Sequence, residues 1–178
     1  MIAIQCGLRE GELLGLKWDD VVLEAGTLWV RRTLSDTRTG YIFEAPKNDK
    51  GRSIKLAQDA VEALKDHVQR QLLEIEKGGG NYQDRGLIFP SRIGTPMNAR
   101  NLISRSFKPL LKRAGLPDVR LHDLRHTCAT LMLHEGVHVK LVQELLGHAT
   151  ISITLDTCSH VLPNMADETA GAMERIFS

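Results

Sequence analysis

Hydrophobic residues recur along this chain with two different periods, which divide it into helical and extended stretches. Spacings of three and four residues predict helices at 58–77, 98–114, 121–134, 139–146, 151–157 and 165–176. Residues 2–18 show the same spacing, but Gly7 interrupts it, because glycine is a poor helix former. The pattern is therefore that of a mainly helical protein.

Strand-forming residues are concentrated between positions 27 and 56. β-branched and aromatic residues predict strands at 27–34, 41–45 and 52–56, and the turn at 48–51 makes them an antiparallel meander. Three consecutive glycines at 78–80 indicate a loop within one domain that covers residues 1–178. The predicted fold class is α+β, a mainly helical domain with a small three-stranded antiparallel sheet.

Composition narrows the class of protein. The chain is 42% hydrophobic, yet it has no apolar run of the roughly 20 residues that span a bilayer and no secretory leader pattern. Its three cysteines include no CxxC pair, which argues against a disulfide framework, and Cys6 and Cys128 are predicted to pack as small apolar residues. We expect a cytoplasmic protein with no membrane contact.

His67, which no motif includes, is predicted to lie at the surface of the protein.

The formal net charge of +1 conceals a sorted charge distribution. Residues 31–55 carry seven Lys/Arg against three Asp/Glu, and residues 92–125 carry eight against two. Segments of one sign suit contact with a polyanion such as DNA. The predicted helix 98–114 is the best candidate to lie along a groove of double-stranded DNA, and its predicted DNA-binding residues are Arg100, Arg105, Lys108 and Lys112.

The sequence HDLRH contains the strongest local chemical signal. His122 and Arg125 are three residues apart and share a face of one helical turn. A guanidinium can grip two phosphate oxygens while the imidazole donates to a third or moves a proton. An isolated HxxR is more often a structural pair, but a helix end before His148 and the segment GLREGE around Arg9 strengthen the phosphate interpretation.

The order of motifs along the whole chain resembles the catalytic domain of tyrosine recombinases, the phage-integrase family of DNA breaking and rejoining enzymes. The motifs are CGLREGELLGLKWDD, APKNDKGRSIKL, LHDLRHTCATLMLHEG and LLGHATISITLDTCSHV. The resemblance implies an integrase-like fold, no cofactor, no metal and a double-stranded DNA substrate joined through a 3′-phosphotyrosyl intermediate. It implies catalytic roles for Arg9, Lys47, His122, Arg125 and His148, with Glu12, His126 and His160 in support.

Other expectations follow from the same resemblance. The N-terminal core-binding domain of such enzymes is expected to be absent, because Met1 stands directly before the first catalytic motif. The last predicted helix, 165–176, is expected to support homo-oligomers on DNA. The resemblance also implies that this protein associates with the nucleoid.

The sequence departs from the family at the nucleophile, because Cys158 stands where the motif requires tyrosine. A cysteine is much shorter than a tyrosine, and its thiolate prefers carbonyl, disulfide or metal centres to phosphorus. We therefore expect a recombinase domain that binds DNA but is defective in covalent chemistry.

Two alternatives remain at this point. The chain is either that recombinase domain or a non-catalytic DNA-binding accessory protein that retains the fold. A metal-dependent or Cys-His hydrolase built from Cys158, His160, His148 and His122 has weaker support, since the chain has no HExxH helix and no paired carboxylates.

Overall fold

The computed structural model describes residues 1–46, 51–157 and 174–177. In these residues the helices are α1 (Ile2–Gln5), α2 (Glu10–Leu14), α3 (Gln58–Gly78), α4 (Ala99–Leu102), α5 (Lys108–Arg113), α6 (Asp123–His134), α7 (Val139–Leu146) and α8 (Ile151–Thr157). Residues 174–177 are also helical. The strands are β1 (Val21–Val22), β2 (Thr27–Val30), β3 (Thr33–Thr37), β4 (Gly40–Glu44) and β5 (Arg52–Lys55). This architecture confirms the predicted α+β class.

The predicted three-stranded meander is wrong in its pairing. The three-stranded antiparallel sheet has the order β1-β2-β5, while β3 and β4 form a separate two-stranded hairpin. Between β2 and β3, the neighbouring residues Arg31 and Arg32 both pair with the buried carboxylate of Asp20. Successive side chains of a regular strand point to opposite faces, so this shared partner is not compatible with an unbroken strand 27–34. The missed strand, β1, has only two residues, which is too short for an alternating pattern.

The main hydrophobic core joins the N-terminal helices to the sheet and α3. Its buried residues include Leu16, Leu28, Val30, Ile54 and Leu64. On α3 the predicted apolar face is only partly buried, because Leu72 lies 53% exposed. The buried position next to it is Gln71, whose amide donates to the Leu87 carbonyl (2.9 Å).

His67 is not the surface residue that we expected. Its ring is half-buried between Trp18 and Phe89, with ring centroids 5.9 and 5.3 Å away, and a ring nitrogen bonds the Ile88 carbonyl. Both cysteines are buried as predicted, and burial, reinforced by Cys128, raises the pKa of the Cys6 thiol to about 12. Cys6 is therefore an unreactive packing residue.

A second, smaller cluster brings the C-terminal helices onto this core. Ala129 of α6 packs with Val142 and Leu146 of α7. Helix α6 also contacts α1, and α7 contacts both α8 and β5. The end of α7 thereby meets the start of the chain.

The predicted helix 98–114 is confirmed, since the chain is helical from Ala99 to Arg113. A π-helical turn, Ile103–Phe107, lies within it, between α4 and α5. Asn98 caps α4, because its side-chain oxygen Oδ1 accepts from the backbone N–H of Arg100 (2.8 Å). Asparagine is a preferred residue at this position before a helix.

Candidate active site

Arg9 lies where the chain enters α2. Gly7, with φ +56°, turns the backbone, and an added Cβ there would stand 2.5 Å from Leu146. The Arg9 backbone N–H donates to one Glu12 oxygen and its guanidinium Nη1 to the other, each at 2.9 Å. Arg9, the N-cap of α2, is thus held against the carboxylate of Glu12 in the same short helix.

Glu12 is a buried carboxylate shared by two arginines. It is 1% exposed, and Arg52 of β5 grips it with both terminal nitrogens, at 2.9 and 2.8 Å. Burial alone would raise the pKa of Glu12, but the Arg52 hydrogen bonds and the charges of Arg52 and Arg9 outweigh it and lower this pKa to about 2. Glu12 is therefore ionised at neutral pH.

Arg125 is the most deeply buried arginine of the site, at 3% exposure. Its two terminal nitrogens donate to the carbonyls of Gly7 and Leu146, the latter at 2.6 Å. Burial, followed by the nearby positive charge of Arg9, lowers the pKa of Arg125 to about 9, so the side chain remains a cation at neutral pH.

The three arginines converge on three consecutive carbonyls at the end of α7. Arg52 Nε donates to Leu145 (2.6 Å), Arg125 to Leu146 (2.6 Å) and Arg9 to Gly147 (3.2 Å). The C-terminus of a helix has unpaired carbonyls and a partial negative charge, which suit cations. We call Arg9, Glu12, Arg52 and Arg125 the arginine centre.

His148 follows directly on this helix end. Gly147 adopts a left-handed backbone (φ +64°), which redirects the chain out of α7. The His148 Nδ1 lies 2.9 Å from the hydroxyl of Thr154, which is fully buried in α8. Burial, together with the charges of Arg125 and Arg9, lowers the pKa of His148 to about 4, so it is neutral at pH 7.

His122 lies at the N-cap of α6, one turn before Arg125. Its ring packs edge-on against His126, with the centroids 4.8 Å apart. Partial burial lowers the pKa of His122, and the charges of His126 and Arg125 lower it further. His126 therefore supports His122 from within the same helix.

A cleft opens beside the arginine centre. Its lining includes the charged residues Arg9, Arg52, Lys140 and Glu144 and also His148, Pro46 and Gly51. Lys47 belongs to the segment between the last two residues and lies outside the described residues, as do Cys158 and His160. Thr157, the last described residue of α8, directly precedes position 158 in the sequence.

Two residues of this site were missed by sequence reasoning. Thr154, whose hydroxyl bonds His148, has no signal of its own in the sequence. Arg52 lies two residues before buried Ile54 on β5, so both side chains share the inward face of the strand. An arginine on an inward face indicates a buried acidic partner. The resemblance gave a catalytic role on that hairpin to Lys47 alone, so Arg52 was not among the predicted site residues.

The predicted DNA-binding residues lie apart from this buried arrangement. Arg100, Arg105 and Lys112 are exposed, on α4, the π-helical turn and α5. Lys108 is partly exposed and pairs with Asp118. We call the segment 98–113 the basic helix. It presents both arginine and lysine side chains at the surface.

Two further properties concern metals and membranes. Among the described residues, no three His, Cys, Asp or Glu side chains gather as metal ligands would. No helix within these same residues is long and apolar enough to cross a membrane.

The chain is similar to known recombinases and integrases. It is 35% identical to a tyrosine recombinase XerC-like protein of Caldanaerobacter subterraneus subsp. tengcongensis, over 99% of this chain and 48% of that protein. It is 26% identical to the ICEBs1 integrase of Bacillus subtilis, over 99% and 48%. The chain thus spans about half the length of these relatives.

Solved structures agree with this similarity. The Tn1549 transposon integrase in complex with transposon right end DNA has a TM-score of 0.77 and 26% identity, and covers 99% of this chain and 57% of that one. The XerH recombinase bound to its palindromic difH substrate has a TM-score of 0.67 and 28% identity, over 97% and 44%. The sequence profile of the phage integrase family matches residues 1–164, and the chain therefore belongs to the phage integrase family.

Proposed function

We propose that residues 1–178 form the catalytic domain of a site-specific recombinase that acts on double-stranded DNA, with no cofactor. The observation that carries this proposal is the arginine centre, in which motifs from both ends of the chain meet at the end of α7. A phosphodiester in the cleft would face Arg9 and His148 together. The family membership and the DNA-bound Tn1549 and XerH structures support the same substrate class.

The proposed chemistry is stabilisation of a crowded, negatively charged phosphorus centre. Arg9 is 29% exposed along its side chain and has more N–H donors than Glu12 and Gly147 accept, so it can also hold a phosphate oxygen. Neutral His148 can donate one hydrogen bond without adding a full charge. Arg125 and His122 add positive potential and a second imidazole from α6.

Lys47 is proposed to protonate the leaving 5′ oxygen. Its support is its position in the sequence between Pro46 and Gly51, which line the cleft beside Arg9 and His148. A general acid must come within hydrogen-bond distance of the oxygen that it protonates, and a hairpin beside the cleft suits this role.

Cys158 is proposed to make this domain defective in forming a covalent DNA intermediate. The thiol replaces a phenol whose oxygen extends much farther from the backbone, and a misplaced nucleophile loses most of its rate. The remaining phosphate-binding groups do not depend on this residue, so DNA binding should persist.

The test is a nicked suicide DNA substrate incubated with the protein and with Cys158→Tyr, scored for a protein–DNA adduct that survives denaturation. We expect an adduct with tyrosine only. Cys158→Phe is the matched control, because it restores the ring without the hydroxyl and should give none. An adduct with cysteine would show that the thiol attacks phosphorus, which would overturn the proposed defect.

A second candidate is a DNA-binding accessory protein that retains the fold without catalysis, and the cysteine at position 158 is the observation that favours it. The same assay separates the two candidates. If Cys158→Tyr binds DNA with unchanged affinity and forms no adduct, the accessory role is supported and the catalytic one is not.

We also infer a nucleoid-associated protein that forms homo-oligomers on DNA through the segment 165–176. The support is the predicted amphipathic helix, whose last residue, Ile176, is exposed, as is Phe177 directly after it. Light scattering with and without DNA tests this assembly. We expect the parent to form oligomers on DNA and the Ile176→Ser variant to stay monomeric on the same DNA.

A further inference from the structure

Arg52 forms more side-chain hydrogen bonds than Arg9 or Arg125. Its side chain is 10% exposed, and it donates two bonds to Glu12 and one to the Leu145 carbonyl. All three bonds reach other elements, 40 and 93 residues away along the chain. Neither a motif nor the proposed chemistry has yet given this residue a role.

We propose that Arg52 is a positioning residue, which clamps Glu12 and the end of α7 and so sets where Arg9 and His148 face a bound phosphate. This inference rests on the proposed function, because it assigns Arg52 to the same phosphate site. Arg52 itself is not required to touch the DNA.

The link from Arg52 to Arg9 runs through Glu12. Arg9 Nη1 bonds only one carboxylate oxygen, Oε1, and Arg52 bonds both oxygens with a planar fork. A two-point grip fixes the rotation of the carboxylate, and thereby the direction in which Arg9 is held. Without the fork, the carboxylate is held only by Arg9, through its backbone N–H and Nη1, and nothing from β5 fixes the direction of the Arg9 guanidinium.

The link from Arg52 to His148 runs along the backbone. Arg52 holds the Leu145 carbonyl and also packs against Gly147, where an added Cβ would stand 3.1 Å from Arg52 Nη1. His148 is the next residue in the chain. Lysine offers a point charge without a fork, so it can replace the charge of Arg52 but not this geometry.

The first test uses Cys158→Tyr as the parent and compares Arg52→Lys with Arg32→Lys. The control is matched, because Arg32 also bridges from the sheet region to a fully buried carboxylate, that of Asp20, but lies outside the arginine centre. We expect Arg52→Lys to slow cleavage at saturating DNA by about tenfold or more, with DNA affinity within about twofold. Arg32→Lys should leave the cleavage rate within about twofold.

A pH profile separates positioning from a merely structural role. With Arg52→Gln, Glu12 loses the partner that most lowers its pKa, and burial then raises this pKa. Cleavage by this variant should therefore begin to fall at a higher pH than cleavage by the parent, in which His148 and the low-pKa Glu12 titrate. Adding Glu12→Gln should remove this difference from the parent, since no carboxyl is left at that position to titrate.

Nuclear magnetic resonance decides the positioning role even if the tyrosine parent forms no adduct. The Arg9 side-chain N–H groups should exchange with water markedly faster in Arg52→Lys than in the parent, and unchanged in Arg32→Lys. Unchanged Arg9 exchange in Arg52→Lys would overturn the positioning role. A missing adduct together with faster exchange would contradict the proposed function alone.

Discussion

The arginine centre and the basic helix both concentrate positive charge, but they use it in opposite ways. In the centre, Arg125 is almost fully buried and its charge is matched by backbone carbonyls. In the basic helix, Arg100 and Arg105 are exposed to solvent. Buried charges that are paired fix a geometry, whereas solvated charges attract a polyanion without fixing anything. The number of basic residues alone therefore does not identify the site.

The two regions should differ most in the free energy of unfolding that is lost when one acidic side chain is removed from each. Glu12→Gln leaves Arg9 and Arg52 without their shared carboxylate in a buried site, and should lower the free energy of unfolding by about 3–5 kcal/mol. Asp118→Asn, which removes the exposed partner of Lys108, should cost a small fraction of that. Urea denaturation measures both, and equal losses would contradict the comparison.

Lowering the pH should reduce the contribution of the arginine centre and His148 to the free energy of unfolding in two steps. The folded-state pKa of His148 is lowered to about 4, so its contribution to stability is complete above about pH 6.5 and is lost between pH 6.5 and 4. Glu12, lowered from 4.5 to about 2, adds about 3 kcal/mol that is lost below pH 4.5.

Denaturation between pH 7 and pH 3 checks this expectation. His148→Asn should remove the upper step and Glu12→Gln the lower one. A profile that retains both steps in the double variant would assign them to other groups.

The smallest effect concerns the basic helix and DNA. Arg105→Gln should weaken binding equally for all DNA sequences and reduce the slope of log affinity against log salt by about 0.9, if Arg105 contacts one phosphate. Lys65→Gln removes the same charge from the exposed face of α3 and should leave the slope unchanged. Fluorescence anisotropy over a salt series gives both slopes, and equal slopes for Arg105→Gln and the parent would exclude a phosphate contact.

Local patterns predicted much of the fold. Helix α3 was predicted because its spacing continues over 21 residues without a break, and α7 because glycine marks its end. The division between β2 and β3 could not be predicted from local preference. It depends on Asp20, a buried acid that reaches Arg32 from another element.

The site divides in the same way. Arg9, His122, Arg125 and His148 stand in short motifs, so sequence reasoning selected them, and the structure brings Arg9, Arg125 and His148 to one helix end. Arg52 and Thr154 also stand in these motifs, but the motifs do not indicate that Arg52 bonds Glu12 or that Thr154 bonds His148. Their roles became visible only when β5 and α8 were placed against α7.

The separation in sequence of the groups that meet at α7 has a consequence for biosynthesis. Arg9 bonds a carbonyl 138 residues farther along the chain, and Arg125 bonds one 118 residues before it. A ribosome releases the chain from its N-terminus, so Arg9 and Glu12 emerge long before the carbonyl of Gly147 exists. An unfinished polypeptide therefore lacks the proposed phosphate site, which is complete only after the end of α7 has been synthesised.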